Sequence, residues 1–367
     1  MRNPYLTPLL IVSALYFPFL GGMILASAGL GALILSRWHG LQAIVVGAGL
    51  VLISLHILIG LFALFQRENE EDELEIELPD KWQRGLAKLV DQVATERGLD
   101  PPDVIRLHAQ SLAHVYMNRE GQSILVIGGT LIAVLPQRAL SGVIAHELGH
   151  FTAGDVKRSR MARHWHRVMA NLEVRFLSQN WAVWSPLVWL IRLYHLVYFL
   201  LFFASQRQEE FLADSHYVDQ VGEEEAATTL VLINVLEHMP WTNLANMAEN
   251  FAMANQRVEH FFTEQVRSLR AASKSDWDDA LRKALREPTQ WDSTHPALKD
   301  RLKPLGVKAR DVLPSARRLT GEPATALFAN WSLVEKYLSK KLQEIALIRY
   351  GERRQALEDM AAIMKSF

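Results

Sequence analysis

The chain has 367 residues, half of them hydrophobic, with 39 basic and 40 acidic side chains and a formal net charge of −1. That balance provides no field to attract nucleic acid, so no nucleic-acid partner is expected. Cysteine is absent, which excludes disulfides and thiolate metal sites and leaves histidine and carboxylates as ligands for a transition metal.

Tyr5 to Leu35 carries no charged residue, and neither does Leu41 to Phe65. Each run exceeds the ~20 apolar residues needed to cross a bilayer core as a helix. Ser36-Arg37-Trp38-His39-Gly40 separates them as a short polar turn. Residues 1–66 are therefore expected to form a transmembrane hairpin with both ends on one side. A signal peptide cleaved after Ala26-Ser27-Ala28 is the competing reading, but an h-region covers only ~7–15 residues and this apolar run continues beyond it. Arg2 lies at one end, and Arg67, Lys81, Arg84 and Lys88 lie beyond the other, against Arg37 and His39 in the turn. The positive-inside rule then places both ends, and the domain that follows, in the cytoplasm. The acidic stretch 67–79 reads as a solvated linker ending at Pro79.

Asp80 is placed to cap a helix with Trp82, Leu86, Leu89, Val90 and Val93 at helical spacing and Gly98 as its stop. Strands are expected at Val104–Leu107, Ala113–Met117 and Ser123–Ile127, the last two joined by a turn at Asn118-Arg119-Glu120-Gly121. Pro136 suits the first turn of the next helix, which carries Leu140, Val143 and Ile144. Beyond Glu210 the sequence reads as helical, with loops near Gly222, Pro240, Pro288 and Pro304.

That helix ends in His146-Glu147-Leu148-Gly149-His150, an HExxH pattern. Positions i and i+4 share a helix face, so both imidazoles can reach one Zn²⁺ at ~2.0–2.1 Å. Glu147 projects beside them, where a carboxylate can take a proton from an attacking water. A catalytic zinc takes three protein ligands and keeps a position open. Gln208-Glu209-Glu210-Phe211-Leu212-Ala213-Asp214 offers the third. Asp214 lies four residues after Glu210, whereas Ala213 lies four after Glu209. A ligating histidine donates its other ring nitrogen to an orienting carboxylate. Glu210 as ligand and Asp214 as the partner of His146 satisfy both requirements from one helix face. One Zn²⁺ per chain, held by His146, His150 and Glu210, is expected.

HELGH with Gly154-Asp155, then Glu-x-x-Ala-Asp from Glu210 to Asp214, then Thr294-His295-Pro296 with Arg301 downstream, resembles the HtpX-type and CAAX-prenyl-endopeptidase superfamily of membrane zinc peptidases. The resemblance spans roughly Asp80 to Gly306. It implies a gluzincin-type fold, with an active-site helix, a second helix bearing Glu210, and a small sheet whose edge aligns substrate. It implies proteolysis of membrane or misfolded proteins, with polypeptides and the bilayer as partners, and a bacterial inner membrane with the catalytic domain in the cytoplasm. It also implies catalytic roles, on the oxyanion side or as gates, for His295 and Arg301. Many HtpX-like relatives carry two further spans between the zinc motifs; this chain offers one apolar stretch, Trp181 to Ala204. A non-catalytic membrane scaffold or chaperone that keeps the fold is the alternative, against which the intact ligands and base argue.

The expected fold is α+β and mainly helical: a transmembrane helical hairpin at 1–66, the linker at 67–79, a zincin-like peptidase domain with a small sheet at 80–310, and a helical appendage at 311–367 for docking or oligomer contacts. His150 and Glu210 must meet at one metal, so the chain between them crosses the membrane an even number of times or not at all. The stretch 181–204 is too short for two crossings, and Arg192 and His195 near its centre oppose one. It is expected to be a membrane-apposed or partly inserted helical hairpin on the side of the active site, bent at Pro186, with a helix pair buried in the soluble domain as the alternative. Lys157 to Arg167, with His164 and His166, reads as a basic membrane-surface helix instead of a second metal site.

Overall fold

Two uncharged runs open the chain, and in the computed structural model both are helices: α1 (Leu6–Arg37) and α2 (Leu41–Ala63). The structure describes residues 3–38, 40–63, 75–118, 120–150, 156–174, 186–239, 250, 258–318 and 320–365. The chain divides into two units, one of Met1–Glu70, Ala153–Glu209 and Trp291–His295, the other of Glu71–Thr152, Glu210–Gln290 and Pro296–Phe367.

In the first unit, α1 and α2 approach closely because glycine faces glycine. A Cβ on Gly31 would lie 2.7 Å from the Gly47 carbonyl oxygen, the kind of small-residue contact on which apolar helices associate. The hydroxyls of Ser27 and Ser54 hydrogen-bond across the same seam. By length and composition, α1 and the stretch Val188–Val221 are each able to cross a membrane.

The apolar stretch corrects one expectation. Residues 181–185 lie outside the described residues, but from Pro186 onward the segment is a single helix, α7 (Pro186–Val221), and not a hairpin. Pro186 is the first helical residue, where its missing N–H removes no hydrogen bond, so it starts the helix and bends nothing. No breaker follows until Gly222, whose φ of 89° favours glycine. The antiparallel partner of α7 is α6 (Val156–Leu172). The Tyr198 hydroxyl donates to the Ala162 carbonyl at 2.6 Å, while His195 meets Glu173 at 3.2 Å. Ala162, Met169 and Leu172 of α6 form a core with Val188, Ile191 and Tyr198 of α7 and Leu9, Tyr16 and Leu20 of α1. His166 stacks on Phe202 with centroids 4.1 Å apart.

The second unit is built on a four-stranded mixed sheet in the order β1-β2-β4-β3, from β1 (Glu75–Glu77), β2 (Val104–His108), β3 (Ala113–Met117) and β4 (Ser123–Gly128). Strands β3 and β4 form the expected hairpin, with Gly121 at φ 85° in the turn. Strand β2 runs parallel to β4, and β1 runs antiparallel to β2. Strand β1 falls inside the stretch read as a linker. Its acidic residues mask a period-two pattern: Ile76 is buried, while Glu75 accepts hydrogen bonds from Tyr116 (2.6 Å) and Arg106 (3.3 Å) on the other face.

Ile76, Leu107, Leu125 and Ile127 give the sheet a buried face in the main core. Packed in that core are α3 (Asp80–Arg97), the short α4 (Gly129–Val134), α5 (Gln137–Gly149) and α8 (Glu223–Glu237). Helix α3 stops at Gly98 in the left-handed region, as its sequence requires; Asp80 is its first residue and makes no side-chain cap. Next come α9 (Phe261–Ala271), α10 (Lys274–Arg286), α11 (Leu298–Leu302) and α12 (Ala309–Arg318). The chain ends in a 3₁₀ turn (Ala324–Leu327) and α13 (Trp331–Lys365).

The region expected to be an appendage is part of this core. Ala324, Phe328, Val334, Leu338, Leu342 and Ala346 belong to the main cluster. The Gln137 N–H, at the start of α5, donates to the Glu322 carbonyl at 2.7 Å. A Cβ on Gly85 would strike the backbone of Leu327, so the 3₁₀ turn lies directly against α3.

Candidate metal centre

Helix α5 presents His146 in its last turn, and His150 follows as the C-cap with helical dihedrals (φ −67°, ψ −15°), so the i, i+4 relation survives the helix end. Helix α7 supplies Glu210 and, one turn on, Asp214. The two helices approach through missing side chains. A Cβ on Gly142 would strike the Tyr217 ring, and one on Gly149 would lie 2.8 Å from the His216 ring. The glycine of HELGH is thus a packing requirement of the α5–α7 contact.

The close approach brings the Glu210 carboxylate between the two histidines. Its Oε2 lies 3.6 Å from His146 Nε2 and its Oε1 3.6 Å from His150 Nε2. One ligand atom from each of the three residues lies within 4.8 Å of the others. A tetrahedral zinc with bonds of ~2.0–2.1 Å separates its ligands by roughly 3.3–3.4 Å. The observed spacings exceed ordinary hydrogen bonds and approach that edge length, so a His₂Glu donor set fits one small cation.

Behind His146 stands a chain of support. Its Nδ1 lies 3.1 Å from Asp214 Oδ1, which leaves Nε2 as the ligand atom. Asp214 in turn receives Arg301 through both oxygens, Nε to Oδ2 at 2.9 Å and Nη2 to Oδ1 at 2.5 Å. Burial alone would lower the His146 pKa, but the neighbouring carboxylates of Asp214 and Glu210 outweigh it and raise it to about 9. Burial alone would raise the Asp214 pKa, yet Arg301 and His146 hold it below the usual carboxylate range. Tyr217 packs edge-on to His146, with centroids 6.4 Å apart.

His146, His150, Glu210 and Asp214 are therefore brought together, with the half-buried Glu147 beside His146 on α5. Glu209, the rejected neighbour, accepts instead from Gln206 at 3.0 Å and Asn3 at 3.5 Å in the first unit. Arg301, expected to act on the oxyanion side or as a gate, pairs with both oxygens of Asp214 behind His146. His295 falls in the first unit and outside the clustered ligand atoms; its N–H donates to Ser293 Oγ at 3.2 Å. Sequence reading missed Tyr217 and Gly142. Their signals were Tyr217 at the seventh position after Glu210, on the same face, and Gly142 and Gly149 seven apart.

Residues 80–308, more than half of the chain, match the profile of Peptidase family M48. No curated protein matches the chain. Among solved structures, the crystal structure of Ste24p from S. mikatae is similar, with a TM-score of 0.32 and 16% identity over 82% of this chain and 67% of that one. The chain belongs to Peptidase family M48, the family to which its ordered motifs pointed, and is a metallopeptidase of that family.

Proposed function

We propose that the chain is a membrane-anchored zinc endopeptidase that hydrolyses peptide bonds of membrane or misfolded proteins. The observation that carries this reading is the Glu210 carboxylate between His146 and His150, with Asp214 behind His146. Zinc, when bound, supplies Lewis acidity toward water and the scissile carbonyl. His146, His150 and Glu210 hold it. Asp214, clamped by Arg301, fixes the His146 ring and its tautomer. Glu147 accepts the proton of the attacking water and delivers it to the leaving amine. Among the described residues β3 pairs on one side only, with β4, and we assign its open edge to an extended substrate strand. His295 is assigned a donor role toward the developing oxyanion, on its Thr294-His295-Pro296 motif alone. Anchoring through α1 and α2 with the catalytic unit in the cytoplasm, in a bacterial inner membrane, follows from the charge asymmetry and the resemblance.

Metal analysis beside a casein-type cleavage assay tests this. Glu147→Ala should lose activity by ~10²–10⁴-fold and retain wild-type zinc content. Loss of zinc together with activity would remove Glu147 from the role of base; undiminished cleavage would refute the mechanism. His295→Gln should lower kcat with zinc unchanged.

A further inference from the structure

Helices α10 and α12 enclose a recess of ≈ 380 Å³ that shares no residue with the metal centre. Its floor is apolar, with Leu281 and Leu285 one turn apart on α10 and Leu313 on α12. Its rim carries four cations, Lys274 and Arg282 from α10 and Arg310 and Arg317 from α12, against a single acid, Asp278. Arg282 also pairs with Asp279. Among the described residues, Lys274, Arg310 and Arg317 belong to no ion pair.

Two arginines of α12 with no acid at i±3 or i±4, beside an apolar floor, are more than a solvated helix face requires. Lysines and arginines of a solvated face are interspersed with acids at i±3 and i±4, as Arg267 is with Glu264 on α9. On α10 that pattern holds, with Asp278 four residues from both Lys274 and Arg282, but on α12 Arg310 and Arg317 have no acid at those positions and line the concavity between the two helices. The volume lies at the lower end of ligand-sized pockets and suits one or two apolar side chains. Because the cations surround a hollow, a flat bilayer could meet the rim but not fill the floor.

We propose that this groove docks an acidic amphipathic polypeptide segment, with apolar side chains seated over Leu281, Leu285 and Leu313 and carboxylates on Arg310, Arg317 and Lys274. The proposal rests on the groove and not on the metal chemistry. For a peptidase it would be a place to hold a substrate or adaptor away from the bond being cut.

The test is fluorescence anisotropy of a labelled synthetic helix-forming peptide with leucines one turn apart on a glutamate-rich background. It is titrated with the detergent-solubilised full chain carrying Glu147→Ala, so that the probe is not consumed. Saturable binding is expected, weakening as salt rises. It should fall roughly tenfold or more in Arg310→Glu/Arg317→Glu and also when the peptide leucines become serine. Arg84→Glu/Lys88→Glu, the same charge change on exposed residues of α3, should leave it intact. The neutral pair Arg310→Gln/Arg317→Gln and the floor variant Leu285→Ser serve if the reversal disturbs folding. Equal loss in both charge-reversal pairs would reduce the effect to net charge and overturn the proposal. So would the absence of saturable binding. The same holds if Arg310→Glu/Arg317→Glu impairs binding to phosphatidylglycerol vesicles but spares the peptide, since the groove would then read the lipid surface.

Discussion

Two buried histidines, one in each unit, sit in nearly matched surroundings and come to opposite ends. His146 and His195 are both buried, each on a helix and each with Nδ1 close to a carboxylate, Asp214 at 3.1 Å and Glu173 at 3.2 Å. Each carboxylate is held by an arginine, Arg301 for Asp214 and Arg192 for Glu173. The difference lies at Nε2. That of His195 meets the Tyr16 hydroxyl at 2.9 Å, so the ring is satisfied on both sides and ties α1 to α7. That of His146 faces the Glu210 oxygen at 3.6 Å, too far for a good hydrogen bond and suited to sharing a cation. A carboxylate behind a histidine does not make a ligand. What makes one is a second nitrogen left facing other ligand atoms.

The strongest way to break this contrast is to remove each ring in turn. His146→Ala, or Glu210→Gln, should reduce zinc affinity beyond the ~10–100-fold that loss of an outer partner costs, whereas Glu209→Gln should not. His195→Gln should keep full zinc content and lose only stability, about 1–3 kcal/mol for the partners left unpaired. Zinc content after gel filtration, with a thermal melt, decides between them. Loss of metal in His195→Gln would show that the two clusters are not separable in this way.

A smaller effect sharpens the contrast on its supported side. Asp214→Asn should weaken zinc binding ~10–100-fold, and Arg301→Gln should act in the same direction because it frees Asp214 to turn. Arg301→Lys should recover only part, since one ammonium cannot reproduce the two-pronged contact. Competition with a chelator of known affinity measures all three. Zinc affinity unchanged in Arg301→Gln, with kcat alone reduced, would return Arg301 to the oxyanion side.

The candidate cluster of His146, His150 and Glu210 was legible because its signal is local: HExxH puts two histidines on one face, and the i, i+4 relation of Glu210 to Asp214 chooses between adjacent glutamates. Strands β2, β3 and β4 were legible from alternation and the glycine turn. What stayed hidden depends on partners distant in sequence. Strand β1 reads as solvated acid until Tyr116 and Arg106 are seen to hold Glu75. The contact of Arg301 with Asp214, 87 residues away, has no local signal in the sequence. Residues 324–346 have apolar spacing but no motif, and nothing local says that their partners are α3 and α5. The run 186–204 was expected to fold back on itself, but α7 continues through it as one helix and packs against α6.

Glycines in α5 bring a third, smaller effect. Gly142→Ala places a methyl group against the Tyr217 ring, which is buried behind His146. Overpacking of this kind costs about 1–3 kcal/mol, and the displaced ring should also move His146. A fall in denaturation midpoint together with weaker zinc binding is expected. A lowered midpoint with unchanged zinc affinity would show that Tyr217 only fills space.

The smallest expected effect concerns a third carboxylate cluster, one that holds no ligand. Glu75 joins β1 to the sheet through Tyr116, Arg106 and His114. Burial alone would raise its pKa, but the hydrogen bonds of His114, Tyr116 and Arg106 outweigh it and leave it below the ordinary carboxylate value. A carboxylate with a depressed folded-state pKa stabilises the fold above its unfolded pKa, ~4.3 for glutamate. That contribution is lost as pH falls through the folded value. Glu75→Gln should therefore be less stable than wild type near neutral pH, by about 1 kcal/mol, the size of a typical net hydrogen bond. The difference should shrink below about pH 4, where wild type also loses the charge. Urea midpoints at neutral and acid pH check this, repeated in a His114→Gln background so that the histidine facing Glu75 adds no titration of its own. A gap that stays constant or widens toward acid would mean that Glu75 holds β1 by shape and not by charge. The acidic run would then owe its strand to Ile76 alone.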